Sequence, residues 1–250
     1  MLNKLILPVL LLSTAVTFFT RNNIRSVGQT VPEVLQQPLQ EKRLNTESIR
    51  FEKDGYQYEL IPLYDYQISG LLVSKMDYKF LSIYKSSSVF PLDVCLLWGG
   101  NAENKVYQYK KIRFFQDCRW CNAEWEGNVP FNLNEISNNH LVFKHPRLES
   151  AARNLVAGDQ IRITGKLVNV KAQSLGESES FNPASLRWNT SIVRNDTGAG
   201  ACEIVYVEDL KILKKANLIS RALFQTGVAG ILAVIILDIF SFFMGRVVPR

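Results

Sequence analysis

The chain has 250 residues, of which 47% are apolar and 21% charged, with a formal net charge of +6. That balance excludes a disordered or collagen-like chain and leaves room for one or two packed domains. Much of the positive charge flanks apolar runs at the two ends, so it reads as lipid headgroup contact rather than as a nucleic-acid surface.

Leu5 to Phe19 is an uncharged apolar run bracketed by Lys4 and Arg21. At a helical rise of about 1.5 Å per residue it reaches about 25 Å, short for a bilayer core but sufficient if the flanking side chains snorkel. A cleaved signal peptide has the same basic start and apolar middle. Here the run ends Phe18-Phe19-Thr20-Arg21-Asn22 with no small-x-small pair, which favours a retained anchor over residues 4–21. Residues 22–51 are polar, with Pro32, Pro38 and little periodicity, and are expected to form a tether holding one helical turn near Val34 to Gln37.

From residue 52 the texture becomes β. Tyr56 to Ser74 is rich in Tyr, Ile, Leu and Val, with Pro62 and Gly70 as punctuation, and predicts two extended pieces or one bent strand. Phe80 to Tyr84 and Val89 to Trp98 are strand candidates, and Val106 to Phe115 with Cys121 to Trp125 suggests a hairpin. Pro146 to Ala157 predicts the one soluble helix, with Pro146 in its first turn, Leu148, Ala151, Ala152 and Leu155 on one face, and Gly158 to end it. Asp159 to Val170 alternates as a half-buried strand does; Lys171 to Ser185 reads as a loop; Leu186 to Val193 and Glu203 to Ile212 supply two more strands. Ala222 to Gly245 is a long apolar run holding a single charge, Asp238, between Arg221 and Arg246, as a transmembrane helix requires. The expected fold class is therefore a β-dominated α+β domain over residues 52–212, a small OB-like barrel or a sandwich with one short helix, flanked by two transmembrane helices at 4–21 and 222–245.

Two spans place both termini on one side and the domain on the other. Charge counting conflicts with a signal-anchor start: Arg21, Arg25, Lys211, Lys214, Lys215 and Arg221 lie on the domain side, and Lys4, Arg246 and Arg250 on the terminal side. Long domains translocate largely regardless of charge, and a first helix at the very N-terminus behaves as a signal anchor, so the domain is expected on the exported side.

Asp196-Thr197-Gly198 is the tripeptide an aspartic protease carries, and Asp196 is the one catalytic candidate. Such chemistry needs two carboxylates sharing a proton, whereas the tripeptide occurs once, in a stretch whose Asn195, Gly198 and Gly200 suit a turn between strands. Gly198-Ala199-Gly200 lacks the third glycine and following helix of a phosphate-cradling loop. Cys118-Arg119-Trp120-Cys121 has redox-pair or half-zinc spacing but no helix N-terminus and no second close pair, so Cys95, Cys118, Cys121 and Cys202 are expected as disulfides or core thiols, with Cys95 and Cys202 placed as partners. His140 and His145 read as surface or helix-entry residues. Tyr56, Tyr58, Tyr64, Tyr66, Tyr84, Tyr107, Tyr109, Phe114, Phe115, Trp120, Trp125 and Trp188, beside Lys110, Lys111 and Arg113, offer either a stacking surface or cross-strand packing, and packing is favoured. Asp238 is either an interfacial residue or an assembly contact within the membrane.

Asp93-Val-Cys-Leu-Leu-Trp-Gly99, Ser137-Asn-Asn-His140, Gly158-Asp-Gln-Ile161 and Thr197-Gly-Ala-Gly-Ala-Cys-Glu203, in that order, resemble an uncharacterised family of bacterial proteins with an N-terminal membrane segment. The resemblance spans roughly residues 63–213 and implies one domain and a bacterial membrane setting, with no activity, cofactor or catalytic residue to transfer; the C-terminal span departs from it. The functional expectation is a membrane-anchored binding or assembly protein of the envelope. It needs no cofactor or metal; its partners are the lipid bilayer and other membrane or envelope proteins, and nucleic acid is disfavoured. Its alternatives are an aspartic-type hydrolase using Asp196 and a cytoplasmic-facing nucleic-acid-binding barrel.

Overall fold

The computed structural model describes residues 3–44, 47–78, 88–176, 183–198 and 200–247. The strand candidate at Phe80 to Tyr84 lies outside these residues.

Two apolar helices bracket the β-structure: α1 (Asn3–Thr20) and α4 (Leu218–Val247). They run antiparallel in contact, with the rings of Phe18 and Phe224 6.0 Å apart, Gly227 against Thr14 and Gly230 against Leu10. A Cβ on Gly227 would come within 2.2 Å of Thr14 Oγ1, so the close approach depends on the missing side chain. Leu218–Ser241 is the one helix among the described residues long and apolar enough to cross a membrane, at 24 residues; Ile6–Thr20 is a shorter apolar helix.

Between them lie β1 (Leu39–Lys42), β2 (Ile49–Lys53), β3 (Tyr56–Asp77), β4 (Leu92–Leu97), α2 (Gly99–Glu103), β5 (Ile112–Asp117), β6 (Trp120–Trp125), β7 (Ile136–Phe143), α3 (Pro146–Arg153), β8 (Gln160–Ser174), β9 (Ser185–Trp188) and β10 (Glu203–Lys214). Among the described residues eight strands form one mixed sheet, and β5 with β6 forms a separate antiparallel ribbon. The pairings run from β3 to β4, β7, β10 and β8, and β8 pairs back onto β3, so five strands complete a circuit. Only β7 with β10 pairs in parallel among these, and α3 sits in the connection from β7 to β8.

The long third strand makes the circuit possible. It is one bent strand of 22 residues, and its register against β8 shifts between Pro62 and Tyr64, where a residue without an N–H belongs. Asp54 and Gly55, at φ 50° and 81°, make the two-residue turn that pairs β2 with its first half. At the far side Gly165 of β8 lies against β10 so closely that a Cβ would meet Tyr206 O at 2.0 Å. One core cluster takes alternate residues from all five strands, among them Ile68, Val94, Leu141, Ile163 and Val205, and adds Ala152 and Leu155 from α3 and its exit. The helix itself ends at Arg153, earlier than Gly158 predicts, because Asn154 caps it; Gly158, at φ 96°, serves the turn into β8.

The described residues of 22–51, expected as a tether, are folded onto the domain. They hold two 3₁₀ turns (Ile24–Ser26 and Pro32–Leu35), β1 and β2, and bury Val27 and Val34. Two other expected strands are shorter than the pattern suggests: Val106–Gln108 is a 3₁₀ turn, and the chain after Trp188 leaves the ladder for side-chain bonds such as Thr190 Oγ1 with Ile204 N.

Candidate functional site

Strand pairing sets Asp93 opposite His140 and Cys95 opposite Asn138, so alternation puts all four on one face of β4 and β7. The ribbon of β5 and β6 covers that face and is tied to it by the disulfide between Cys95 and Cys121. Its two-residue turn, Cys118-Arg119 at φ 41° and 78°, sends Arg119 down onto the sheet.

There the carboxylate of Asp93 is fully buried and threefold engaged. Arg119 Nη1 lies 3.0 Å from Oδ1, His140 Nδ1 lies 2.8 Å from the same oxygen, and Tyr78 OH donates to Oδ2 at 2.8 Å. The His140 contact runs off the line of its N–H, so it is an ion pair rather than a directed hydrogen bond. The Arg119 guanidinium also stacks 3.6 Å from the Tyr78 ring centroid and donates to Phe90 O at 2.8 Å. Burial, then the neighbouring Asp93 charge, pushes the Tyr78 phenol well up. Burial pulls His140 down, but its contacts with Asp93 and Cys202 outweigh it and raise the imidazole to about 9.

Cys202, immediately before β10, is half-buried and unbridged; Asn138 Nδ2 approaches its sulfur at 3.2 Å. It opens into a groove of about 210 Å3 lined by Trp120, Cys121, Asn138, Asp196 and Cys202 among others. His140 thus stands between Asp93 and Cys202, in contact with both, and of the three only Cys202 lines the groove.

A second polar cluster adjoins it. Glu203 is buried, its Oε1 is 2.9 Å from Arg194 Nη1, and Arg194 also bonds Gln40. Burial raises the Glu203 carboxyl to about 7 despite Arg194. Glu203 Oε2 makes no hydrogen bond among the described residues.

The sequence-derived candidates fall into place unevenly. Asp196 does line the groove, but its carboxylate accepts from Ser191 Oγ at 2.5 Å and pins its own turn; the neighbouring carboxyl that it influences is that of Glu203, already held by Arg194. Cys95 is bridged to Cys121 and not to Cys202, because Cys121 lies within the ribbon that covers β4. Cys118 is exposed at the tip, so the close pair in sequence is not a bonded pair. His140, expected at the surface, is packed against Asp93; His145 is exposed at the start of α3, as expected. Tyr56, Tyr58, Tyr66 and Tyr107 are core residues and form no stacking surface. Arg113 is paired with Glu124 at 2.8 Å, and Glu124 and Glu126 line the same shallow groove as Lys110 and Lys111. Asp238 is an exposed residue of α4. No group of three or more metal-ligating side chains occurs among the described residues.

Asp93, Arg119, Tyr78, Arg194 and Glu203 were not singled out by pattern. The one available signal was Asp93 itself, a lone carboxylate inside the apolar run Val89 to Trp98. Compared with known proteins, the chain matches no family model, no curated protein and no solved structure.

Proposed function

We propose that the chain is a two-span protein of the bacterial inner membrane, in which α1 and α4 hold an OB-like barrel close to the bilayer in a binding or assembly role, with the barrel on the periplasmic side. The antiparallel contact of the two apolar helices carries this reading. They meet the domain at one place, where Asn217 Nδ2 donates to Arg21 O and Asn23 O at 3.1 and 3.0 Å and Asp159 takes Arg221. A parallel pair closing a five-strand circuit, with the helix between its third and fourth members, supports the OB-like reading. The disulfide suits an oxidising compartment. The face of β4 and β7, where such barrels take oligonucleotides, is covered by the bridged ribbon, which disfavours the nucleic-acid reading.

Exposed, unbridged Cys118 supplies the test. A membrane-impermeant maleimide applied to spheroplasts should label Cys118 without lysis and should fail on Cys118→Ser. Labelling that requires opening the inner membrane would place the barrel in the cytoplasm.

One observation favours a second reading over a hydrolase built on Asp196: the sequence of Asp93, His140 and Cys202 toward the groove. At neutral pH His140 is the imidazolium, the form that stabilises negative charge on a neighbouring sulfur. The Cys202 thiol would give its proton to water and its sulfur would bond the carbonyl carbon of a small ester, the ester C–O bond breaking and the alcohol leaving with the His140 proton; water would then release the acyl group. Loss of a hydrolytic activity in Cys202→Ala with folding intact, and its survival in Asp196→Asn, would support the thiol; the reverse result would restore the carboxylate.

A further inference from the structure

Where the β-domain meets α1 and α4 there is a groove of about 620 Å3 whose lining includes Arg21, Lys75, Arg153, Leu155, Arg221 and Phe224. Arg21 follows the last residue of α1 and Arg221 lies in the first turn of α4, so both stand at the domain-proximal ends of the apolar helices. If those helices cross a bilayer, this level is the headgroup layer, and the inference rests on that reading.

Among the described residues the wall carries four cations and no carboxylate. The acids stand behind it: Asp159 holds Arg221 at 3.0 Å, and Asp77 and Glu149 hold Arg153. Lys75 spends its donors on the carbonyls of Arg153 and Leu155 at 2.5 and 2.7 Å, and on Ala152 O at 3.5 Å, so it gives charge rather than hydrogen bonds. Arg21 differs from all three. Its guanidinium lies 3.9 Å from the Phe224 ring centroid and 4.6 Å from that of Phe18, and it has no carboxylate partner among the described residues. Held by ring faces, a guanidinium keeps its N–H edge for an acceptor. Against the three carboxylates the four cations leave a surplus positive charge, and a singly charged phosphodiester offsets it. Phe224 and Leu155 give the same groove an apolar side.

We propose that this groove binds the phosphodiester headgroup of an anionic phospholipid, with Arg21 as its principal donor and an acyl chain leaving along α4. The test is native mass spectrometry of the full chain in neutral detergent, titrated with phosphatidylglycerol, phosphatidylcholine or inorganic phosphate. Phosphatidylglycerol should bind about tenfold more tightly than phosphatidylcholine, and Arg21→Gln should remove most of that preference. Because Arg21 also packs on α4, exposed Gln225, which lines the groove, provides a second variant: Gln225→Glu places a repelling charge there without disturbing the helix contact. Arg50→Gln, in a surface pair on β2, should bind as the wild type does.

Equal binding of the two lipids, or a preference unchanged in Gln225→Glu, overturns the headgroup site. Displacement of the lipid by millimolar inorganic phosphate assigns the site to free phosphate and overturns the lipid. A chain that alkaline carbonate strips from membranes refutes the spanning reading; a chain that resists stripping yet shows no lipid preference refutes the groove alone.

Discussion

Asp159 is the most informative residue to remove, because one buried carboxylate ties three segments together. Its Oδ1 accepts from Ala216 N at 2.8 Å and from Arg221 Nη1 at 3.0 Å, and its Oδ2 accepts from Val156 N at 3.0 Å. The carboxylate side chain is fully buried, whereas the Arg221 side chain is 21% exposed. Asp159→Ala leaves two backbone N–H groups without their acceptor and an arginine without its anion. Removing one member of a buried pair costs roughly 3–5 kcal/mol, and an orphaned buried donor about 1–3 kcal/mol. Partial rehydration of Arg221 offsets some of this, so the expected loss is about 3–4 kcal/mol. Asp159→Asn keeps an acceptor but not the charge and should lose about half as much. The assay is urea unfolding of the full chain in detergent, followed by tryptophan fluorescence and compared through midpoints at a common slope. Asp209→Ala, which breaks the exposed pair with Lys211, should stay within about 0.5 kcal/mol of wild type. A loss below about 1 kcal/mol for Asp159→Ala would show that the junction between domain and helices is held by something else.

Other outcomes follow from the same contacts. His140 titrates at about 9 in the fold against 6.5 as a free group, so its contribution is complete below 6.5 and disappears as pH rises through 9; the melting temperature should fall across that window and flatten in His140→Gln. Glu203 has the opposite charge but the same direction: burial raises it from 4.5 to about 7, the fold favours its protonated form, and stability should drop between those values unless Glu203→Gln removes the slope. Cys95 and Cys121 close a loop of sequence separation 26, for which chain entropy predicts a loss of roughly 3–4 kcal/mol in the double serine variant, readable as a lower urea midpoint that reductant reproduces in the wild type. Gly165→Ala should fail to yield folded protein by circular dichroism, since its Cβ would press on the backbone at Tyr206 O rather than on a side chain that can move.

Patterns confined to one segment were readable, and those made between segments were not. The bent strand at Pro62, the helix beginning at Pro146, the ribbon near Cys121 and the apolar run after Arg221 each declare themselves within a few residues through a missing N–H, a 3.6-residue face or an uninterrupted apolar length. Asp54-Gly55 is an equally local hairpin signal, and it is the one cue that the chain just before it, at the end of residues 22–51, pairs as β2 across that turn. Asp93 and His140 lie far apart along the chain and become neighbours only through the register of β4 on β7. No property of either residue announces that register. Arg119 reaches them only because a turn in a separate ribbon adopts positive φ and a disulfide sets that ribbon over the face. The same dependence makes Cys202 ambiguous in sequence and specific in the fold: a thiol before a strand is commonplace, whereas one beside an imidazole paired with a buried carboxylate is an arrangement that three strands must build together.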